Sequence, residues 1–166
     1  MSIDSKSFAF SAENISKIEE LKGRYPSPKA LTLPCLWMVQ YQEGYISLEA
    51  IEEISKYIDT PPMEIYRVAT FYTMFNLEPV GRYHIQLCKT LSCQLCGSMD
   101  ILKRVIEKLG IGVGESSGDG RYTVSQVECL GSCGTAPVMQ INDIYYENLT
   151  PSSVDEIIDG LEGSRQ

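Results

Sequence analysis

Positive charge, histidine and long apolar runs are what this sequence has least of, and each shortage removes a class of function. Fourteen Lys and Arg stand against twenty-two Asp and Glu, a formal charge of −8 at pH 7. Phosphate backbones and anionic membrane surfaces repel such a chain, and no basic run with interleaved aromatics offsets this, so nucleic acid is not an expected partner. No apolar run approaches the roughly 20 residues that a bilayer crossing needs, and Met1-Ser2-Ile3-Asp4-Ser5-Lys6 has no apolar stretch of the secretory kind. The expectation is a cytoplasmic protein without direct membrane insertion. The one histidine, His84, rules out any site that needs two imidazoles.

What the chain does have is 166 residues, 43% of them hydrophobic, and six cysteines. That is enough for one ordinary domain, or a small domain with a helical extension. In a reducing compartment an uneven cluster of cysteines reads as metal binding rather than as a disulfide framework.

Five of the six fall between Cys88 and Cys133, in two groups: Cys88-Lys89-Thr90-Leu91-Ser92-Cys93-Gln94-Leu95-Cys96 and Cys129-Leu130-Gly131-Ser132-Cys133-Gly134. Soft thiolates select zinc, Cu(I) or iron–sulfur clusters, and Cys88, Cys93, Cys129 and Cys133 make a complete set of four. Zinc knuckles favour C-x2-C pairs, whereas here the pairs are C-x4-C and C-x3-C, which suits a larger [2Fe–2S] cluster. Zn(Cys)4 is the second reading, and a Rieske centre is excluded for want of a second histidine. Cys88-x4-Cys93-x2-Cys96 also fits the plant-type ferredoxin spacing. Cys96, however, runs through Gly97 directly into a strongly helical segment, whereas Cys129 and Cys133 sit among small residues that let backbone N–H groups approach sulfur. This makes Cys96 a bystander expected at a helix start. A competing function, thiol–disulfide exchange through Cys93 and Cys96 in front of a helix, leaves Cys88, Cys129 and Cys133 unused. Cys35, in an apolar helical stretch, reads as a small buried hydrophobe.

Around these cysteines the periodicity changes once. Residues 1–80 read as a bundle of four helices. The first is capped by Ser11 and buries Ile15, Ile18 and Leu21, with Phe10 stapled to Ile15; it ends at Gly23. Ser27 and Pro28 open a second, about Lys29 to Glu43, which Pro34 should kink or delay. Ser47 caps a third with a stripe of Leu48, Ile51, Ile54 and Ile58. Pro61 and Pro62 start a fourth with Ile65, Val68, Ala69 and Tyr72 on one face. The run Phe71-Tyr72-Thr73-Met74-Phe75 reads by default as core. Residues 81–166 alternate: a strand through Tyr83, Ile85 and Leu87 delivers Cys88, a helix carries Ile101, Leu102, Val105, Ile106 and Leu109, and strands follow at about Tyr122 to Val127, Val138 to Ile141 and Ile144 to Tyr146. A helix capped by Thr150 and Pro151 buries Val154, Ile157, Ile158 and Leu161, before a frayed tail from Gly163 to Gln166. The glycine-rich stretch from Ile111 to Gly120 follows a helix and carries acidic residues, the wrong context for a phosphate loop. The order β-α-β-β-β-α predicts an α+β or α/β architecture, an N-terminal helical bundle (1–80) followed by a thioredoxin-like domain (81–166).

Cys88-x4-Cys93, then Glu128-Cys129-Leu130-Gly131-Ser132-Cys133-Gly134-Thr135-Ala136-Pro137, preceded by Val68-Ala69-Thr70-Phe71-Tyr72-Thr73-Met74-Phe75, resembles the [2Fe–2S] subunit, 24-kilodalton type, of NADH:quinone oxidoreductase, respiratory complex I. The resemblance runs from about Tyr25 to Leu161. It implies a thioredoxin-like ferredoxin fold, one [2Fe–2S] cluster on Cys88, Cys93, Cys129 and Cys133, and no catalytic residue or complete active site in this chain. It also implies a partner subunit that carries FMN and NADH, docked in part through the Phe71–Phe75 region. The pair would sit in a larger assembly, peripheral on the cytoplasmic side of the inner membrane. Closely similar subunits serve NAD-dependent hydrogenases and formate dehydrogenases, so the parent complex has these alternatives.

Overall fold

The computed structural model describes residues 7–163. Met1 to Lys6, and Ser164 to Gln166 of the tail expected to fray, lie outside the described residues. The chain divides into two compact units, Met1–Pro79 and Val80–Gln166.

The first unit is helical. Helix α1 (Ala12–Lys22) begins where the Ser11 hydroxyl accepts the Asn14 N–H at 3.2 Å, with Phe10 buried beside it. A 3-10 turn (Pro28–Leu31) precedes α2 (Thr32–Glu43), and Ser27 ahead of it makes no side-chain cap bond. Pro34 is the third residue of α2, where the N–H it lacks would have no intrahelical partner anyway; the helix therefore starts late and is not kinked. Gly44, at φ 84°, ends it in the left-handed conformation that glycine adopts without strain. Helices α3 (Leu48–Ile58) and α4 (Pro62–Phe71) complete the set. Ile18, Leu31, Leu36, Val39, Ile54, Ile58 and Ile65 form a fully buried core, with Cys35 inside it.

Two expectations for this unit are corrected. Leu48 is 65% exposed, and Ala50 joins Ile51, Ile54 and Ile58 on the buried face instead. At about 100° per residue Leu48 lies roughly 105° from the centre of that face. The aromatic run is not core as a whole. Only Phe75 is buried, while Phe71 is 75% exposed and Tyr72, which follows the helix rather than lying on its face, is exposed together with Met74.

The second unit is a five-stranded sheet with helices. Strand β1 (Tyr83–Cys88) leads through a short helix α5 (Leu91–Leu95) into α6 (Ser98–Leu109). Strands β2 (Glu115–Ser116), β3 (Tyr122–Val127), β4 (Met139–Ile141) and β5 (Ile144–Tyr146) follow, and α7 (Pro151–Gly163) ends the described chain. The sheet order is β2-β3-β1-β4-β5, with β1 parallel to β3 and antiparallel to β4. Ile85 and Leu87, alternate residues of β1, pack with Val124, Met139 and Ile141 against Ile101, Val105, Val154 and Ile158 of the helices. Two small elements were not expected: α5 between the first two cysteines of the group, and β2 in the glycine-rich stretch. This sheet flanked by helices is the expected thioredoxin-like architecture, with those two additions.

Candidate metal centre

Parallel pairing explains why two distant cysteine groups meet. Cys88 ends β1 opposite Val127, the last residue of β3, so the two strands release their chains at the same edge of the sheet, and Cys129 follows two residues past Val127. The Lys89 N–H donates to the Val127 carbonyl at 3.0 Å, and Lys89 pairs with Glu128 at 2.9 Å, closing the two exits side by side. Cys93 comes from α5, one helical turn after Thr90. Cys133 opens the 3-10 turn Cys133–Thr135 at the end of the second loop.

The four thiols form two pairs. Cys129 and Cys133 have their sulfurs 3.5 Å apart, and Cys88 and Cys93 are buried in one cluster. Thr90 Oγ1 lies 3.2 Å from Cys88 Sγ. Cys88 and Cys93 are buried with Val138 under Leu130 and Ala136, while Cys129 and Cys133 are exposed. The site thus has an apolar floor and an open rim.

Backbone groups are aimed at sulfur. The Gly131 N–H donates to Cys129 Sγ at 3.3 Å, from a residue held at φ 83°. Burial pushes the Cys88 thiol up, but hydrogen bonds from the Thr90 hydroxyl, the Thr90 N–H and Leu130 outweigh it and leave it below the ordinary thiol value. The Gly131 N–H, then the bond to Cys133, lowers Cys129, and the shared bond raises Cys133 in return. Burial, then Cys88, pushes Cys93 up to about 11. One thiol of each pair is therefore lowered and its partner raised.

This donor set fits a binuclear cluster. Two thiolates on one tetrahedral metal, with bonds of about 2.3 Å, lie about 3.8 Å apart, close to the Cys129–Cys133 spacing. Two separate pairs are what two irons would use.

Cys96 lies outside this arrangement. It follows α5, exposed, with Gly97 between it and α6, so it ends one helix rather than starting the next. His84 is a strand residue, with its Nε2 2.6 Å from Ser125 Oγ. Sequence reasoning did not single out Thr90, or Glu147, which accepts hydrogen bonds from Ser132 and Thr135. No spacing rule marks a carboxylate fifteen and twelve residues from the two hydroxyls it accepts from.

Comparison with known proteins gives a consistent result. Residues 18–162 match the model of the thioredoxin-like [2Fe–2S] ferredoxin family. The chain is 46% identical over 157 residues to the E subunit of NADH-quinone oxidoreductase from Rickettsia bellii, covering 93% of this chain and 94% of that one. It is 39% identical to the second of the E subunits of NADH-quinone oxidoreductase from Rhizobium meliloti, covering 90% and 89%. A chain of an NAD+-reducing [NiFe]-hydrogenase, solved in its H2-reduced state, shares the fold, with a TM-score of 0.69 and 23% identity. That likeness covers 80% of this chain, which spans 22% of the hydrogenase chain.

Proposed function

The chain belongs to the thioredoxin-like [2Fe–2S] ferredoxin family, within the group of NADH-quinone oxidoreductase E subunits, and from that premise we propose that Cys88, Cys93, Cys129 and Cys133 bind one [2Fe–2S] cluster that carries single electrons. Cys88 and Cys93 hold one iron and Cys129 and Cys133 the other. The observation that carries this is the convergence of four thiols as two pairs, one with its sulfurs 3.5 Å apart. When bound, the cluster supplies a reversible one-electron couple and neither hydride nor proton chemistry.

The protein's part is to hold the ligands still and set the potential. Cys88 is fixed by the β1 ladder, so its position changes little when charge is added. The Gly131 N–H and the Thr90 hydroxyl aim partial positive charge at sulfur and favour the reduced form. The formal charge of −8 opposes reduction and lowers the potential. The apolar floor of Val138, Leu130 and Ala136 keeps water from the buried pair.

In this reading the chain is an electron-transfer component of an NADH:quinone oxidoreductase, with FMN and NADH on a neighbouring subunit that exchanges electrons with it. The exposed Phe71, Tyr72 and Met74, and separately the exposed Leu91, Leu95 and Met99 near the cysteines, are apolar surfaces suited to docking such a partner. No helix among the described residues is long and apolar enough to cross a membrane, which fits a peripheral place on the cytoplasmic side of the complex.

Low-temperature EPR of the dithionite-reduced protein, with iron, zinc and acid-labile sulfide assayed on the same sample, tests this. The expected result is a rhombic S = 1/2 signal and about two irons and two sulfides per chain. Zinc with no signal would replace the cluster by a structural metal site.

A further inference from the structure

In the loop of the second cysteine pair, Leu130 and Ala136 pack against the buried pair while the cysteines and glycines stay exposed. Cys129, Gly131, Cys133 and Gly134 are all exposed, and Gly131 stands in the left-handed region. A loop of this kind samples many conformations unless something outside it fixes it.

For the exposed part of the loop, one carboxylate does so. Ser132, between Gly131 and Cys133, donates its hydroxyl to Glu147 Oε1, and Thr135, two residues past Cys133, donates to the same oxygen at 2.8 Å. Backbone bonds beside Glu147 repeat the connection: the Asn148 N–H donates to the Thr135 carbonyl at 2.7 Å and the Leu149 N–H to the Pro137 carbonyl at 3.1 Å. Leu149 is buried in the core of the sheet unit, and Thr150 caps α7. Glu147 therefore stands on a rigid base, with its carboxylate turned to the ligand loop. The two hydroxyls, Ser132 first, hold its carboxyl below the usual range, so it is ionised and its hydrogen bonds are charge-assisted.

We propose that Glu147 is a positioning residue for the cluster: it clamps loop 129–135 so that Cys129 and Cys133 keep the spacing one iron requires. The inference rests on the cluster reading above. Glu147 touches neither sulfur and acts through Ser132 and Thr135.

The test uses the full chain with its cluster, as wild type, Glu147→Ala and Glu147→Gln. Glutamine keeps a carbonyl acceptor and loses the charge. Three quantities are measured: the rate of iron release to a ferrous chelator, the EPR line shape after dithionite reduction, and the thermal unfolding midpoint. Glu147→Ala should release iron about tenfold faster and change the EPR anisotropy, while Glu147→Gln stays within about threefold of wild type, because the acceptor geometry survives. Glu147 is exposed, so neither variant should lose the fold. Release and spectra identical between wild type and Glu147→Ala would overturn the proposal. So would an alanine effect that glutamine does not even partly rescue, since an acceptor in the same place would then hold nothing. A wild-type chain without iron and labile sulfide would sink the cluster reading itself, and the clamp with it.

Discussion

At Cys35 burial pushes the thiol up to about 12, so it stays protonated and serves the helical core as a small apolar side chain. Cys96 is exposed and shares no sulfur contact with the two pairs. The same element thus has different work at different positions, and substitution separates them. Cys96→Ser and Cys35→Ala should keep iron and labile sulfide at wild-type stoichiometry, whereas Cys88→Ser or Cys129→Ser should lose the cluster or shift its EPR g-values. Normal iron and unchanged spectra in Cys88→Ser would remove Cys88 from the ligand set. The same single-residue logic applies to His84. Its burial lowers the folded-state pKa below the ordinary 6.5, so the unfolded chain binds the proton more readily. The stability this gives is complete above the unfolded value and is lost as pH falls through the folded one. Urea midpoints should decline below about pH 6.5, and His84→Gln should flatten that part of the profile; equal slopes in the two proteins would exclude it. Residue-scale reading from sequence reached the four cysteines as candidates because their number and spacing are chemical facts. Thr90 and Glu147 stayed hidden because a hydroxyl or a carboxylate becomes a site residue only through the contact it makes.

Among the elements, the tightest fit is where the linker meets the sheet. A Cβ on Gly81 would stand 2.7 Å from the Tyr122 carbonyl carbon and 2.8 Å from its nitrogen, both backbone atoms of β3 that the ladder holds. The Gly81 N–H also donates to Thr123 Oγ1 at 2.6 Å. Gly81→Ala should therefore cost about 1–3 kcal/mol, as overpacking does, and because the clash lies at the far end of the β1–β3 pairing from Cys88 it should leave the cluster's EPR line shape as it is. Denaturant midpoints and the EPR line shape of one sample check both outcomes, and an unchanged midpoint would show that the strands yield freely. Element boundaries from sequence were best where periodicity and caps agree, as for Ser11, Ser47, β1 and β3. They failed at α5, five residues long with Cys93 in its middle, because a single turn and a half has no period to detect. They failed at β2 for the same reason: two residues in a glycine-rich stretch become a strand only by pairing with β3. Leu48 shows the converse error. An apolar residue at a helix start counts toward a stripe in sequence, yet rotation about the axis turns it to solvent.

For the whole molecule, the organising fact is that chemistry and bulk are separable. All four candidate ligands, the Glu147 clamp and a core built from β1, β3, β4, α6 and α7 lie in Val80–Gln166, while Met1–Pro79 has its own core and no candidate ligand. A change from helical to alternating periodicity near residue 80 is legible in the sequence; which surfaces each unit leaves bare is not, because exposure is a property of the packed structure. Phe71, read as core, is 75% exposed, and a large aromatic held in solvent has a cost that a partner's surface would remove. Two fragments separate these roles. Residues 80–166 produced alone should hold iron and labile sulfide with the EPR signature of the full chain, since no ligand or floor residue is missing. Residues 1–79 should be helical and metal-free and, if the proposed flavin subunit docks there, should carry much of the affinity for it through Phe71, Tyr72 and Met74. Replacing Phe71 by Ser in the full chain should weaken that association about tenfold, the scale of one buried aromatic contact, with the spectrum unchanged. An iron-free fragment 80–166 beside a loaded full chain would mean that the helical unit completes the metal site. Undiminished binding in Phe71→Ser would leave the exposed apolar residues around the cysteines, Leu91, Leu95 and Met99, as the docking surface.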